Sequence, residues 1–150
     1  MHTVLTTAAE AQLLDATSML PRADENSPRM VAVLAHAACD LQTEEVLHRL
    51  VTLRGRRPED MEKLVTFGPQ FSLRRDGVRQ FYTELSGDDP ARHDWWQPWL
   101  ESGQRRNRAA HGGGAVQHND ALATLDACRS FVQHLRMVSA MLEMAPALAS

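Results

Sequence analysis

The segment from Pro28 to Leu53 constrains the fold of this 150-residue chain more than any other. Ser27 is a good helix cap and proline suits the first helical position, so the pattern predicts a helix over residues 28–53. Its residues are apolar on almost every side, which is typical of a helix at the centre of a bundle. We therefore expect the other segments to pack around this one.

The other segments are also predicted as helices, and prolines or glycines mark most of their ends. Aromatic residues make up only 5% of the chain, β-branched residues are few, and no alternation of the strand type occurs. The predicted helices run from a cap at Thr6 or Thr7 to residue 20, over residues 58–68 and 71–85, from residue 94 or 98 to 110, and from a cap at Asn119 or Asp120 to residue 144. The sequence therefore predicts an all-α fold: one domain over residues 1–150, an antiparallel helical bundle with an irregular helical insert at 54–90.

The charge distribution, the cysteines and the hydropathy of the chain each bear on the kind of protein it is. The net charge is −3, yet residues 51–111 hold eleven Lys and Arg against nine acids, which is compatible with RNA binding but does not require it. Cys39 and Cys128 fall in apolar helical segments and are predicted to be buried free thiols. No stretch approaches the roughly 20 apolar residues of a membrane span, and no signal-peptide pattern is visible. We expect a soluble, cytoplasmic protein with no membrane contact.

Residues 101–114 carry the chemistry: Glu-Ser-Gly-Gln-Arg-Arg-Asn-Arg-Ala-Ala-His-Gly-Gly-Gly. Three arginines and a histidine lie within one helix length, and a glycine run follows directly. Arginine offers a planar fork of donors that suits phosphate oxygens, and histidine can take and give a proton near neutral pH. The pattern indicates chemistry at a phosphate. The alternative is a solvated basic helix end whose histidine only caps carbonyls.

This stretch resembles the signature of the HEPN superfamily (higher eukaryotes and prokaryotes nucleotide-binding), an arginine and a polar residue followed by a histidine. Arg106, Asn107 and His111 fit, with four residues between the arginine and the histidine. Glu101 and Arg105 match the upstream extension of the motif, although lysine is usual at the second position. The resemblance covers about residues 28–53 and 94–140. It implies a helical bundle with the motif near the junction of two long helices.

The function that follows is a metal-independent endoribonuclease that needs no cofactor. The 2′-hydroxyl of RNA attacks the adjacent phosphate and leaves a 2′,3′-cyclic phosphate and a 5′-hydroxyl. His111 would act as general base or acid, and Arg106 would bind the phosphate and stabilise the charge of the transition state. Asn107 would bind phosphate or orient His111. Arg105 and Arg108 would contact further RNA phosphates.

Two carboxylates are predicted to support the arginines. Glu101 lies four residues before Arg105 on a helix, so the two side chains can pair. Glu45 shares a stripe of the helix 28–53 with Leu34, Ala38, Leu41 and His48. It is expected either to reach the edge of that helix or to face a polar site inside the bundle, such as an arginine of the motif.

A single histidine does not easily perform both proton transfers, so we expect a homodimer with a composite active site, as the resemblance also implies. It further implies a role in toxin–antitoxin, antiviral or RNA-processing systems, with an antitoxin or a nucleotidyltransferase as a partner. Two other readings stay open at this point. One is a non-catalytic module that binds a nucleotide or a partner through the same arginines, and the other is a purely structural helical dimer.

Three further features suggest other sites. His111 and the glycines after it copy the oxyanion-hole sequence of some esterases, but a nucleophile elbow and a strand context are missing from the sequence. His93, His111 and His118 lack the spacing of metal ligands, so no metal site is predicted. Trp95, Trp96 and Trp99 are expected to anchor the core or an interface, with base stacking as the alternative.

Overall fold

The computed structural model describes residues 7–20, 27–110 and 117–149, and the side chains of 108–110 and 145–149 are not part of that description. Within these ranges the chain is helical and contains no strand, so the predicted all-α fold is confirmed. The helices are α1 (Ala8–Met19), α2 (Ser27–Leu53), α3 (Pro58–Phe67), α4 (Asp76–Ser86), α5 (Trp96–Ala110) and α6 (His118–Ala149), with one 3₁₀ turn at Pro90–Arg92.

Helix α2 lies at the centre of the bundle, as predicted. It packs most extensively against α6 and α1, and further along its length against α5, α4 and α3. Buried residues therefore occur around most of its circumference rather than along one stripe. They include Val31, Ala35, Cys39, Val46, Leu47 and Leu50.

The ends of several helices follow from single residues. The hydroxyl of Thr7 accepts a hydrogen bond from the Glu10 backbone N–H at 3.2 Å and caps α1. Helix α3 ends at Gly68, as predicted from the Gly68-Pro69 pair. Helix α4 ends at Gly87, whose φ of 74° lies in the left-handed region that favours glycine.

The segment 71–85 was expected to be helical throughout, and this is wrong for its first five residues. Helix α4 begins only at Asp76. Phe71 and Leu73 are buried side chains of an irregular segment, and their burial mimics a helical pattern in the sequence. The guanidinium of Arg75 donates to the Gln70 carbonyl at 3.0 Å and closes this segment locally. The last helix, α6, continues to Ala149, five residues beyond the predicted end.

Within the stripe that contains Glu45, Ala38 is buried, but the part from Leu41 onward does not lie on the core face of α2. Leu41 is 39% exposed, and Glu45 and His48 are also exposed. Because α2 is apolar on most sides, the sequence does not distinguish this border from the core face. Glu45 lies in a groove beside Arg49 and Arg136, so of its two expected positions it occupies the helix edge and does not face an arginine of the motif.

The tryptophans fix the start of α5 in the core. Trp99 is fully buried, and its ring stacks on Phe131 of α6 with centroids 4.7 Å apart. Trp96 is also buried and packs on Trp99. These two rings are core anchors, which leaves no open face for base stacking. Of the helices described, none combines the length and the apolar character needed to cross a membrane.

Candidate phosphate-binding site

Helix α5 presents the predicted site residues at its C-terminal end, beyond the tryptophan anchor. Arg105 and Arg106 are half-buried there, and Asn107 is exposed. His111 and the glycine run lie outside the described residues, and so does the side chain of Arg108. The geometry described below is therefore that of Arg105, Arg106 and their neighbours.

The guanidinium of Arg106 has a buried N–H group without a hydrogen-bond partner among the described residues. Its Nε atom is buried without a hydrogen-bond partner, and the same is true of Arg105. Within the described parts of the chain, no carboxylate forms an ion pair with either side chain. A buried donor without a partner costs about 1–3 kcal/mol. An anion that accepts these N–H groups would remove that cost.

Arg74 joins this site from the segment before α4, and sequence reasoning missed it. Its guanidinium donates to the Leu100 carbonyl of α5 and lies 5.3 Å from the centroid of the Trp99 ring. Burial lowers the pKa of Arg74, and the nearby charge of Arg106 lowers it further. Two cations therefore share one half-buried patch, in a protein whose net charge is −3.

Gly103 makes the position of Arg74 possible. A Cβ atom at residue 103 would overlap the Arg74 guanidinium and would lie 2.6 Å from its Nε. Since Gly103 lies inside α5, where glycine is unfavourable, its role is the close approach of the two segments.

Asp40 of α2 is a carboxylate whose pKa is affected by the charge of these arginines. Burial raises its pKa to about 6, and the charges of Arg106 and His36 oppose this rise. Asp40, rather than Glu45, is therefore the acid of α2 whose pKa is affected by a motif arginine. The two residues are five apart on α2, which places them about 140° apart around the helix axis.

A buried polar contact fixes α5 against α2 next to this patch. His36 Nε2 donates to Ser102 Oγ at 2.9 Å, and Ser102 Oγ donates in turn to the Trp99 carbonyl at 2.7 Å. Both side chains are buried. Their positions indicate that they orient α5 rather than contact a ligand.

The cysteines are buried free thiols, as predicted. Cys39 Sγ donates to the Cys128 carbonyl oxygen at 3.9 Å. Burial raises the pKa of Cys39 well above its ordinary value, and a hydrogen bond with the side chain of Cys128 adds to the rise. The Cys39 thiol is therefore protonated, enclosed and inert as a nucleophile. The pKa of Cys128 is lowered instead, because its hydrogen bonds with Cys39 and His36 outweigh the effect of burial.

The predicted support by Glu101 is not seen. Glu101 is exposed, and among the residues that the structure describes no ion pair joins it to Arg105. The structure instead brings Arg106 together with Arg74 and Asp40. An acid in the apolar helix α2 was a signal that could have identified Asp40. Arg74 gave no such signal, because it lies in the insert that matched no pattern.

Comparison of the chain with protein-family models, with curated proteins and with solved structures finds no match in any of the three.

Proposed function

We propose that this protein is a metal-independent endoribonuclease of the HEPN type. The observation that carries the proposal is the pair of half-buried guanidiniums of Arg106 and Arg74, with the buried Nε of Arg106 unpaired. Two cations held together without a paired carboxylate favour a ligand with concentrated negative charge. The HEPN-like motif on α5 supports the choice of an RNA phosphate as that ligand.

In this mechanism the 2′-hydroxyl of the RNA attacks the adjacent phosphorus, and the bond to the 5′-oxygen breaks. His111, one residue beyond α5, takes the proton of the 2′-hydroxyl or gives one to the leaving oxygen. Arg106 and Arg74 stabilise the charge that grows on the phosphate in the transition state. Asp40 reduces the mutual repulsion of the two arginines. Asn107 is exposed beside them and is available to the phosphate or to His111.

The second proton transfer comes from a second copy of the chain. A homodimer that places two motifs across a two-fold axis supplies two histidines to one cleft. Mixing His111→Ala chains with Arg106→Ala chains should then restore part of the activity, because each half-site contributes a different group. The protein should sediment at about twice 16.8 kDa at micromolar concentration. A toxin, defence or RNA-processing role, with an antitoxin or nucleotidyltransferase partner, belongs to the same proposal.

The test is cleavage of a long single-stranded RNA in EDTA. Wild type should cut it, and Arg106→Ala and His111→Ala should each lose on the order of 10²-fold or more in rate. Arg129→Ala is the matched control, since Arg129 is a half-exposed arginine of α6 paired with Asp126. Equal rates for wild type and Arg106→Ala would exclude the mechanism, as would a strict need for Mg²⁺.

The same variants separate the enzyme from a non-catalytic binding module. A binding module would bind RNA or a nucleotide through Arg106 and leave it intact. In that case Arg106→Ala lowers the affinity in a fluorescence anisotropy titration, and neither protein yields cleavage products.

A further inference from the structure

The loop between α4 and α5 brings two side chains against α6 at the end of the bundle that holds the tryptophans. His93 Nε2 lies 2.6 Å from one carboxylate oxygen of Asp88, and His134 Nε2 lies 2.8 Å from the other. The centroids of the two imidazole rings are 3.9 Å apart. Two imidazole nitrogens and one carboxylate thus converge on one point, and the three potential ligand atoms lie within 4.8 Å of one another.

The surrounding residues hold these groups in place. Tyr82 is buried, and its hydroxyl donates to Asp88 at 2.7 Å. The ring of Trp95 lies nearly parallel to His93, with centroids 5.7 Å apart and an interplanar angle of 6°, and it also contacts His134. Metal sites in proteins commonly have such neighbours, which donate a hydrogen bond to a ligating carboxylate and fix the plane of a ligating imidazole.

The cluster is also open on one side. The side chain of His93 is 33% exposed, whereas those of Asp88 and His134 are 16% and 11% exposed. A small ion can therefore enter past His93, and a water molecule can reach it there. Sites with three protein ligands and one open position are a common form of zinc coordination.

We propose that Asp88, His93 and His134 form a binding site for a single divalent transition-metal ion of the Zn²⁺ class. Imidazole nitrogen with one carboxylate oxygen suits Zn²⁺ better than Mg²⁺ or Ca²⁺, which take mostly oxygen ligands. Donor atoms around a tetrahedral zinc are roughly 3.3 Å apart, so the ion needs the two hydrogen-bonded pairs, now at 2.6 and 2.8 Å, to separate by about 0.5–0.7 Å. Each imidazole then binds through an unprotonated Nε2 and carries its hydrogen on Nδ1.

The site is distinct from the arginine patch. Trp95, which packs on both histidines, precedes Arg106 by eleven residues, which is about 16 Å along a helix. The ion would join the loop after α4 to α6, because its ligands come from both. It therefore stabilises the fold at one end of the bundle and takes no part in RNA cleavage at the other.

The experiment uses the full chain stripped of metal with a chelator and titrated with Zn²⁺ against a competing indicator. We expect one ion per chain and a change in tryptophan fluorescence, because Trp95 stacks on His93. His134→Gln should weaken binding on the order of 10²-fold or more. The more exposed His93→Gln should do the same with little effect on folding. Visible absorption bands of four- or five-coordinate Co²⁺ should appear in wild type and be lost in both variants.

The control is His118→Gln, because His118 is exposed at the start of α6 and lies outside the cluster. Its Zn²⁺ affinity should equal that of wild type. No binding by wild type at micromolar Zn²⁺ would overturn the proposal and leave the cluster as a hydrogen-bonded network. Equal affinity in wild type and His93→Gln would overturn it as well.

Discussion

Replacing Gly103 by alanine tests whether Arg74 lies against the motif helix. In an α-helix this change normally stabilises by about 1 kcal/mol. Here the added Cβ would overlap the guanidinium of Arg74, which would have to leave its place. Its hydrogen bond to the Leu100 carbonyl and its position over Trp99 would then be lost.

The magnitude follows from these contacts. A hydrogen bond from a charged donor contributes about 1.5–3 kcal/mol, and a cation over an aromatic ring adds about 0.5–1 kcal/mol. After the gain of about 1 kcal/mol in helix propensity is subtracted, Gly103→Ala should destabilise the wild-type chain by about 1–3 kcal/mol. In an Arg74→Ala background nothing fills the space, so the same change should stabilise by about 1 kcal/mol. The coupling between the two positions is then about 2–4 kcal/mol.

The coupling is measured by a double-mutant cycle of four proteins: wild type, Gly103→Ala, Arg74→Ala and the double variant. Their urea unfolding is followed by tryptophan fluorescence. Gly77→Ala is the matched control, because its Cβ would meet Phe67 at an ordinary distance of 3.4 Å. Its effect should be the same with and without Arg74. A Gly103→Ala effect that is equal in both backgrounds within about 0.5 kcal/mol would refute the placement of Arg74. In the RNA assay, Gly103→Ala should also cleave more slowly than wild type.

Two other predictions concern stability. The raised pKa of Asp40 means that the folded state binds its proton more tightly than the unfolded state, so stability falls as pH rises from about 4 to about 6, by up to about 3 kcal/mol from this group. Asp40→Asn should remove this pH dependence of the free energy of unfolding, so the variant should be more stable than wild type at pH 7 but not at pH 4. The same pH dependence in both proteins would contradict the prediction. Leu47→Ala, in the core of α2, should lower the free energy of unfolding by about 2–5 kcal/mol, whereas Leu41→Ala at the exposed border should lower it by less than about 1 kcal/mol. Equal losses in urea unfolding would show that the core face of α2 is misplaced.

The helical fold could be predicted because its signals are local. The cap at Thr7 and the glycines after α3 and α4 each act on their own neighbours. The face of α2 could not be predicted in the same way. A helix surrounded by others is apolar on most sides, so the stripe through Leu41 looks as buried in sequence as the true core.

The arginine patch was predicted only in part, for a physical reason. Arg106 belongs to a motif, but its neighbours come from other helices and loops. Arg74 reaches α5 across 26 residues, and its approach depends on a missing side chain at position 103. The contact between Asp88 and His134 spans 46 residues and has no periodicity to reveal it. Such contacts are set by tertiary packing, which a single sequence does not display.

The most direct test of the central claim is the requirement for the attacking 2′-hydroxyl. A bond that wild type cleaves in EDTA is first mapped, and the same RNA is then made with a single 2′-deoxy residue on the 5′ side of that bond. The account predicts that this bond stays intact, that neighbouring sites are still cut, and that the natural RNA yields a 2′,3′-cyclic phosphate there by mass spectrometry. Cleavage of the 2′-deoxy bond at the natural rate would contradict the account.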